Sequence, residues 1–370
     1  MSVVRHLLSD MCTGHLPTRV WPVHTPFLAL DDAITTRNVE SMATHARDRG
    51  LDLRPHAKTH KMIELGNRQI DSGAIGLTVA TIGEAEVFSA AGVDDLFIAY
   101  PLWLTPETAS LLRQISDRAR LRVGVGSIDG AQQLARLATD TPLSAMIELD
   151  SGHHRSGIDP HEAGTVADVL ADGGIEVIGV FTFPGHSYAP GSPSSAAADE
   201  ASTLAAGSEA LRSAGCEPIV RSGGSTPSAA FTDADVTTEI RPGVYVFNDA
   251  QQVELGTCGL ADVALTAYST VVQRDGNRAI SDSGSKILGA DRPSWTTGFG
   301  RVIEDPDARI VALSEHHATI EFSSTAPPPG TIIHTVPNHV CTAVNLVDRV
   351  AITTDGEITG WWDVAARGRF

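Results

Sequence analysis

Residues 51–61 read Leu51-Asp52-Leu53-Arg54-Pro55-His56-Ala57-Lys58-Thr59-His60-Lys61. From Leu51 to Lys58 apolar and polar residues alternate, which is the period of a β-strand. On a strand, Asp52, Arg54, His56 and Lys58 share one face. Lys58 stands last on that face, at the carboxyl end. In a parallel α/β barrel that end carries the active site. An amphipathic edge strand with a solvated cationic face has the same spacing. Composition adds weight to Lys58. The chain holds 27 Lys plus Arg, and only three are lysines: Lys58, Lys61 and Lys286. Arginine is a permanent cation, whereas lysine can become an amine nucleophile.

Outward from this stretch the chain alternates strand and helix. Phe27 to Leu30 is a short apolar run, and Asp31-Asp32 can cap a helix that Gly50 ends. A helix to about Ser72 follows the Lys58 strand. Strands are then predicted at Leu77 to Ala80, Leu96 to Tyr100, Leu121 to Gly126, Ala145 to Asp150, Val177 to Phe183 and Pro218 to Arg221. Helical patterns separate them, one opened by Thr105-Pro106-Glu107. Counted with the first two, these are eight βα units, which points to a (β/α)8 barrel over residues 25–255. After about Gly256 short β-branched runs take over, at Leu265 to Val272, Ala308 to Leu313, Ala318 to Phe322, Thr331 to Val336 and Val350 to Thr354. Turn clusters such as Ala326 to Gly330 and Asp355-Gly356 divide them, so residues 256–370 read as a small β domain. Residues 1–24 form an N-terminal segment expected to pack on it. Ala189 to Ala198, rich in Ser, Pro and Ala, reads as a mobile loop at the barrel mouth.

At 370 residues the chain suffices for a barrel plus a smaller domain. The formal net charge of −18 disfavours nucleic acid and anionic membranes as partners. No apolar run reaches transmembrane length, and Met1 to Cys12 lacks the apolar core of a secretory signal. Cysteines 12, 216, 258 and 341 are far apart, so no disulfide framework and a cytoplasmic setting are expected.

Several loops carry chemistry. Ser222-Gly223-Gly224-Ser225-Thr226-Pro227 follows the last predicted barrel strand. Its glycines let the backbone close on an anion, its hydroxyls donate, and a helix start after Thr226 would add its dipole. A plain strand-to-helix turn looks the same. Gly124 to Gly130 lacks the dinucleotide spacing and reads as a turn. Asp150 to Gly157 follows another strand, and its Arg155 can contact an anionic oxygen, while His153 and His154 equally fit a solvated loop. Gly185-His186-Ser187-Tyr188 is similar. Glu239 to Tyr245 comes later, and Tyr245 can reach back to a phosphate. In the β domain, His339-Val340-Cys341 would point imidazole and thiolate the same way on a strand. Those donors suit Zn2+ and leave positions open for water and substrate. A buried cysteine beside a satisfied histidine is the alternative.

Together these motifs resemble the fold-type III pyridoxal 5′-phosphate (PLP) enzymes of the D-serine dehydratase and D-threonine aldolase family, over nearly the whole chain. The resemblance implies an alanine racemase N-terminal-like barrel with a C-terminal β domain, assembled as a homodimer. It implies that Lys58 holds the cofactor through its amine, with His56 in the same motif. Ser222, Gly223, Gly224, Ser225 and Thr226 become its phosphate cradle. Arg155 and Tyr188 lie near it, and Tyr245 belongs to the R-P-G-x-Y motif. His339 and Cys341 become ligands of a divalent metal, zinc first, with manganese or magnesium as alternatives. The aldolases usually carry Asp in place of the cysteine, so Cys341 favours the dehydratases. The implied activity is a lyase acting on a D-3-hydroxy amino acid by β-elimination, giving a 2-oxo acid and ammonia. The alternatives are retro-aldol cleavage to glycine and an aldehyde, or a non-catalytic PLP-binding protein.

Overall fold

The computed structural model describes residues 24–370, so the expected N-terminal segment lies almost wholly outside the described residues. The first strand, β1 (Phe27–Asp31), leads into α1 (Asp32–Asp48). Asp31 caps that helix by accepting the Ile34 N–H at 2.8 Å. Then come β2 (Asp52–Leu53), α2 (Ile63–Asp71), β3 (Leu77–Val79), α3 (Ile82–Ala90), β4 (Asp95–Ile98) and α4 (Pro106–Ser116). The pattern continues with β5 (Arg120–Val125), α5 (Ile128–Ala138), β6 (Leu143–Glu148), α6 (Ala163–Asp172), β7 (Glu176–Phe181), α7 (Pro193–Ser213), β8 (Val220–Gly223) and β9 (Glu239–Ile240).

Strands β2 to β9 form one parallel sheet of eight, ordered β2-β9-β8-β7-β6-β5-β4-β3. The sheet curls until a bridge between His56 and Thr78 joins its ends, with the Thr78 N–H donating to Pro55 O at 2.8 Å. This is the expected barrel, but its eight strands are not the expected eight. β1 leaves it to join the second sheet, and β9, inside the Glu239 to Tyr245 stretch, completes it. A short apolar run satisfies either sheet equally, so its sequence does not choose between them.

Alternation within strands stacks the barrel interior. In β4, Leu96 and Ile98 face outward into the core beneath the helices, while Asp95, Phe97 and Ala99 face inward. Asp95 belongs to a buried ion cluster in which Arg54 Nη1 meets Asp95 Oδ1 at 2.6 Å and Arg54 Nε meets Glu239 Oε2 at 2.7 Å. Phe97 belongs to the layer above, with Met146 and Phe181, and Ala99 lines the cavity at the mouth. Gly124 and Gly126 are not a turn: Gly124 lies within β5 beside Phe181, where a Cβ would come within 2.7 Å of the ring, and Gly126 follows the strand.

Three more expectations change. The strand at 51–58 is regular only over Asp52–Leu53, and Lys58 sits in a tight 3-10 turn, Ala57–Thr59. Pro55 withholds an N–H from any ladder, which shortens the strand. Of the Ser/Pro/Ala-rich stretch, residues 189–192 form a turn and the rest opens α7, with Pro193 at the helix start and alanines behind it. No α-helix begins after Thr226; the chain makes a short 3-10 turn, Ala229–Phe231.

The second domain follows α8 (Ala250–Glu254). It comprises β10 (Leu265–Asp275), β11 (Arg278–Ser281), α9 (Ser285–Leu288), β12 (Gly300–Val302), β13 (Arg309–Leu313) and β14 (Ala318–Glu321). It ends with β15 (Ile332–Pro337), α10 (Val340–Val344), β16 (Arg349–Thr354) and β17 (Glu357–Asp363). With β1 these strands make a nine-stranded sheet. Asp355-Gly356, both at positive φ, form the expected turn between β16 and β17.

Candidate active site

A cavity of about 550 Å³ opens at the carboxyl ends of the barrel strands, and loops of the second domain form its far wall. Lys58 lines it. The other two lysines are committed elsewhere. Lys61 Nζ bonds Asn345 Oδ1 at 2.8 Å and lies 3.3 Å from Glu84, and Lys286 pairs with Glu315 at 2.8 Å. The Lys58 amine has no hydrogen bond or ion pair among the described residues, and stands 5.5 Å from the Phe183 ring centroid. Burial is the main force lowering its pKa; Arg155 and Arg241 add to this, while Cys341 and Glu84 oppose it. A smaller free-energy difference then separates the ammonium from the nucleophilic amine.

The solvated-face reading fails at Arg54, which is 0% exposed. The expected shared direction survives the loss of regular strand: Arg54 enters the barrel interior, and His56 and Lys58 reach the cavity. His56 is held neutral, its pKa pushed well down by burial and by the charges of Lys58 and Arg241.

Because β1 is outside the barrel, the loops after the seventh and eighth barrel strands are those after β8 and β9. They meet at the cavity through Gly224, Ser225, Gly243 and Val244. Gly224 is left-handed at φ +77°, and a Cβ on Gly243 would come within 2.6 Å of Thr59 Oγ1. The Gly243 and Val244 amides have no protein acceptor among the described residues, so this corner suits an anion. Ser225 Oγ lies 2.8 Å from both Ser187 Oγ and Ser228 Oγ. This corner is therefore built from two loops, not from the expected one alone.

Other expected residues separate. Arg155 and Tyr188 line the cavity, and the Arg155 guanidinium stands 5.2 Å from the Phe183 centroid. Burial first, then Cys341 and Asp249, push the Tyr188 hydroxyl to stay protonated. Ser222 is buried below, donating to Glu239 Oε1 at 2.6 Å. Gly223 packs against Glu200. Thr226 and Tyr245 line a different depression. The Tyr245 hydroxyl accepts from Gln69 Nε2 at 2.9 Å, in a chain that runs on to His60. His154 turns away to Asp150, at 2.7 Å, whereas His153 lines the cavity with its pKa lowered mainly by burial.

His339 and Cys341 form part of the second-domain wall, but not on a strand: His339 is the N-cap of α10, and Cys341 lies in its first turn. Burial opposes charge on both groups. Their mutual attraction prevails, so the imidazole is raised and the thiol lowered. His339 Nδ1 is 3.5 Å from Asp249 Oδ2. That is an ion-pair distance without hydrogen-bond geometry, since the nitrogen has no hydrogen-bonded partner among the described residues. Among the described residues no cluster of three or more His, Cys, Asp or Glu could hold a metal.

Residues not anticipated complete the cavity. Glu148 and Arg241 follow from alternation, two residues along inward faces already identified. Glu148 Oε2 is buried without a partner among the described residues, and burial raises its pKa. Arg241 Nη2 donates to Thr182 O at 2.6 Å and caps the Phe97 and Phe181 rings. Asp291 and Arg292 come from a loop with no local signal.

Residues 31–251 match the alanine racemase N-terminal domain, and residues 264–353 match the serine dehydratase domain. D-threo-3-hydroxyaspartate dehydratase of Delftia sp. (strain HT23) is 32% identical, over 91% of this chain and 96% of its own. The chain belongs to the D-serine dehydratase and D-threonine aldolase family of PLP enzymes. It is a PLP-dependent lyase. D-threonine aldolase of Arthrobacter sp. is 30% identical over 94% of this chain and 93% of its own. D-serine dehydratase of Dictyostelium discoideum is 29% identical over 91% and 95%. The solved Delftia enzyme superposes with a TM-score of 0.85 at 31% identity, covering 92% of this chain and 97% of that one. Its solved variants include a cysteine-to-alanine form described as metal-free and a histidine-to-alanine form.

Proposed function

We propose that this lyase removes the β-hydroxyl of a D-3-hydroxy amino acid, releasing a 2-oxo acid and ammonia, with a divalent cation held at His339 and Cys341. The observation that carries the reading is the pairing, across one cavity, of the uncommitted Lys58 amine with a histidine and a cysteine.

The residues fit PLP. Lys58 would hold it, the Gly243 and Val244 amides with Ser225 would take its phosphate, and Arg155 would flank its ring. When bound, the cofactor supplies an electron sink for bond breaking at Cα. Lys58 Nζ, its pKa lowered mainly by burial, takes the Cα proton. Phe183 flanks that amine, and loops of the second domain form the wall across the cavity from it. The two donors also fit a catalytic cation, since a nitrogen and a sulfur suit zinc and leave positions for substrate. Asp249 stands behind His339, where a metal-bound imidazole finds its second partner. Such a cation would polarise the β-oxygen.

Cleavage to glycine and an aldehyde is the second reading, favoured by the likeness to D-threonine aldolase. The test offers D-3-hydroxy amino acids deuterated at Cα. Ammonia and a 2-oxo acid, abolished by a chelator, are expected. Glycine retaining the deuterium, with an aldehyde, would establish cleavage; no turnover would leave a PLP-binding protein.

A further inference from the structure

The cavity holds more cationic groups than the proposed chemistry uses. Lys58 is assigned to the cofactor and the Cα proton. Arg155 lies on the barrel side against Phe183. Arg241 is tied to Thr182 O and Ser222. Arg292 remains. It enters from the second domain and lines the cavity. Its guanidinium lies 4.9 Å from the Phe299 ring centroid, and it has no hydrogen bond or ion pair among the described residues. Stacking immobilises a guanidinium by its face and leaves its N–H edge open, the edge that matches a carboxylate.

The position of Arg292 is tied to the His339–Cys341 pair. Asn338 Nδ2 donates to Asp291 O at 3.0 Å, and Thr342 Oγ1 donates to the Asp291 carboxylate. Asn338 precedes His339, and Thr342 follows Cys341. The segment bearing Arg292 is thus fastened on both sides of the pair. Thr342 holds the neighbouring Asp291 carboxylate, which makes no ion pair with the guanidinium among the described residues.

We infer that Arg292 is a specificity-determining residue that binds a carboxylate on the substrate's Cβ, so that the enzyme prefers a 3-hydroxy dicarboxylic D-amino acid to D-serine or D-threonine. This rests on the reading above that places the β-oxygen at His339 and Cys341. A carboxylate on the same carbon falls beside that site, on the wall that Arg292 occupies.

The test compares the holoenzyme with Arg292→Ala and Arg292→Lys, using D-threo-3-hydroxyaspartate and D-serine. Removing one charge-assisted contact should lower kcat/KM for the dicarboxylate by roughly 10- to 100-fold, chiefly through KM, and leave D-serine within about threefold. Arg292→Lys should recover part of the loss. Equal losses on both substrates, or none on either, would overturn the inference. Inhibition by succinate against propionate gives an independent readout. Arg292→Ala should abolish any advantage of succinate, and an unchanged ratio would overturn the assignment. If the wild-type enzyme instead cleaves its substrates, the elimination reading fails while the inhibitor ratio still judges Arg292.

Discussion

Lys58 and Lys61 stand three residues apart in one motif and have opposite fates. Lys61, at φ +55°, turns into a gap between Glu84 and Asn345 and joins the two domains. Lys58 faces the cavity without a hydrogen-bond or ion-pair partner among the described residues. Borohydride reduction of the yellow holoenzyme should therefore fix the cofactor on the peptide at Lys58 alone; label on the Lys61 or Lys286 side chain would refute the assignment. A second residue acts through burial. Glu200, on α7, accepts the Gly224 N–H at 2.6 Å, and its other oxygen has no partner among the described residues. Burial raises its pKa from 4.5 to about 7, against the pull of the Gly224 hydrogen bond and Arg241. The folded chain thus holds this proton more tightly than the unfolded one. The resulting stability is fully present below about pH 4.5 and is lost as pH rises through about 7, up to about 3 kcal/mol. Urea unfolding between pH 5 and 8 should show this loss in the wild type and not in Glu200→Gln. Parallel pH curves would mean that Glu200 ionises freely.

At the scale of elements, alternation was the dependable signal and regularity was not. The inward face through Arg54, His56 and Lys58 was legible in the sequence, although hydrogen bonding defines only two residues of β2. What that face would meet was not legible. Arg54 finds Asp95 of β4 and Glu239 of β9, 41 and 185 residues away. Burying Arg54 with both carboxylates desolvates three charges at once, and Arg122, 3.1 Å from Glu239, completes the cluster at its less buried side. Arg54→Ala should lower unfolding free energy by roughly 3 kcal/mol, because Asp95 and Glu239 lose their fully buried cation and keep only the more exposed Arg120 and Arg122. Adding Glu239→Gln should recover part of that loss, and denaturant titration of the single and double variants measures both. A loss under about 1 kcal/mol would show that water replaces Arg54. The Ser/Pro/Ala stretch misled for a related reason. Its small residues lack an amphipathic stripe, yet Ala196 and Ala197 are buried against the barrel in α7.

At the scale of the molecule, the chain is interlaced. It starts in the second sheet with β1, makes the barrel, and returns to build the rest of that sheet. Its last residues then fold back onto the barrel. The Ala366 N–H donates to Lys61 O at 3.0 Å, and Thr81 Oγ1 donates to Arg369 O at 2.6 Å. Neither domain closes its surface alone, so calorimetry should show one unfolding transition. Deleting residues 364–370 should lower its midpoint by several degrees, and two separate transitions in the intact chain would contradict this coupling. The sequence by itself determined the barrel, the β-rich half, the lysine and the His-x-Cys pair. Each is written in local period, composition or spacing, and the loops with their family resemblance pointed to the cofactor. Only the tertiary structure decided which sheet took β1, which two loops meet at the anion corner, that Tyr245 bonds Gln69, and that Arg292 faces the cavity. Those outcomes depend on partners far away in the chain. No local pattern encodes which distant group will satisfy a buried charge or leave a guanidinium free.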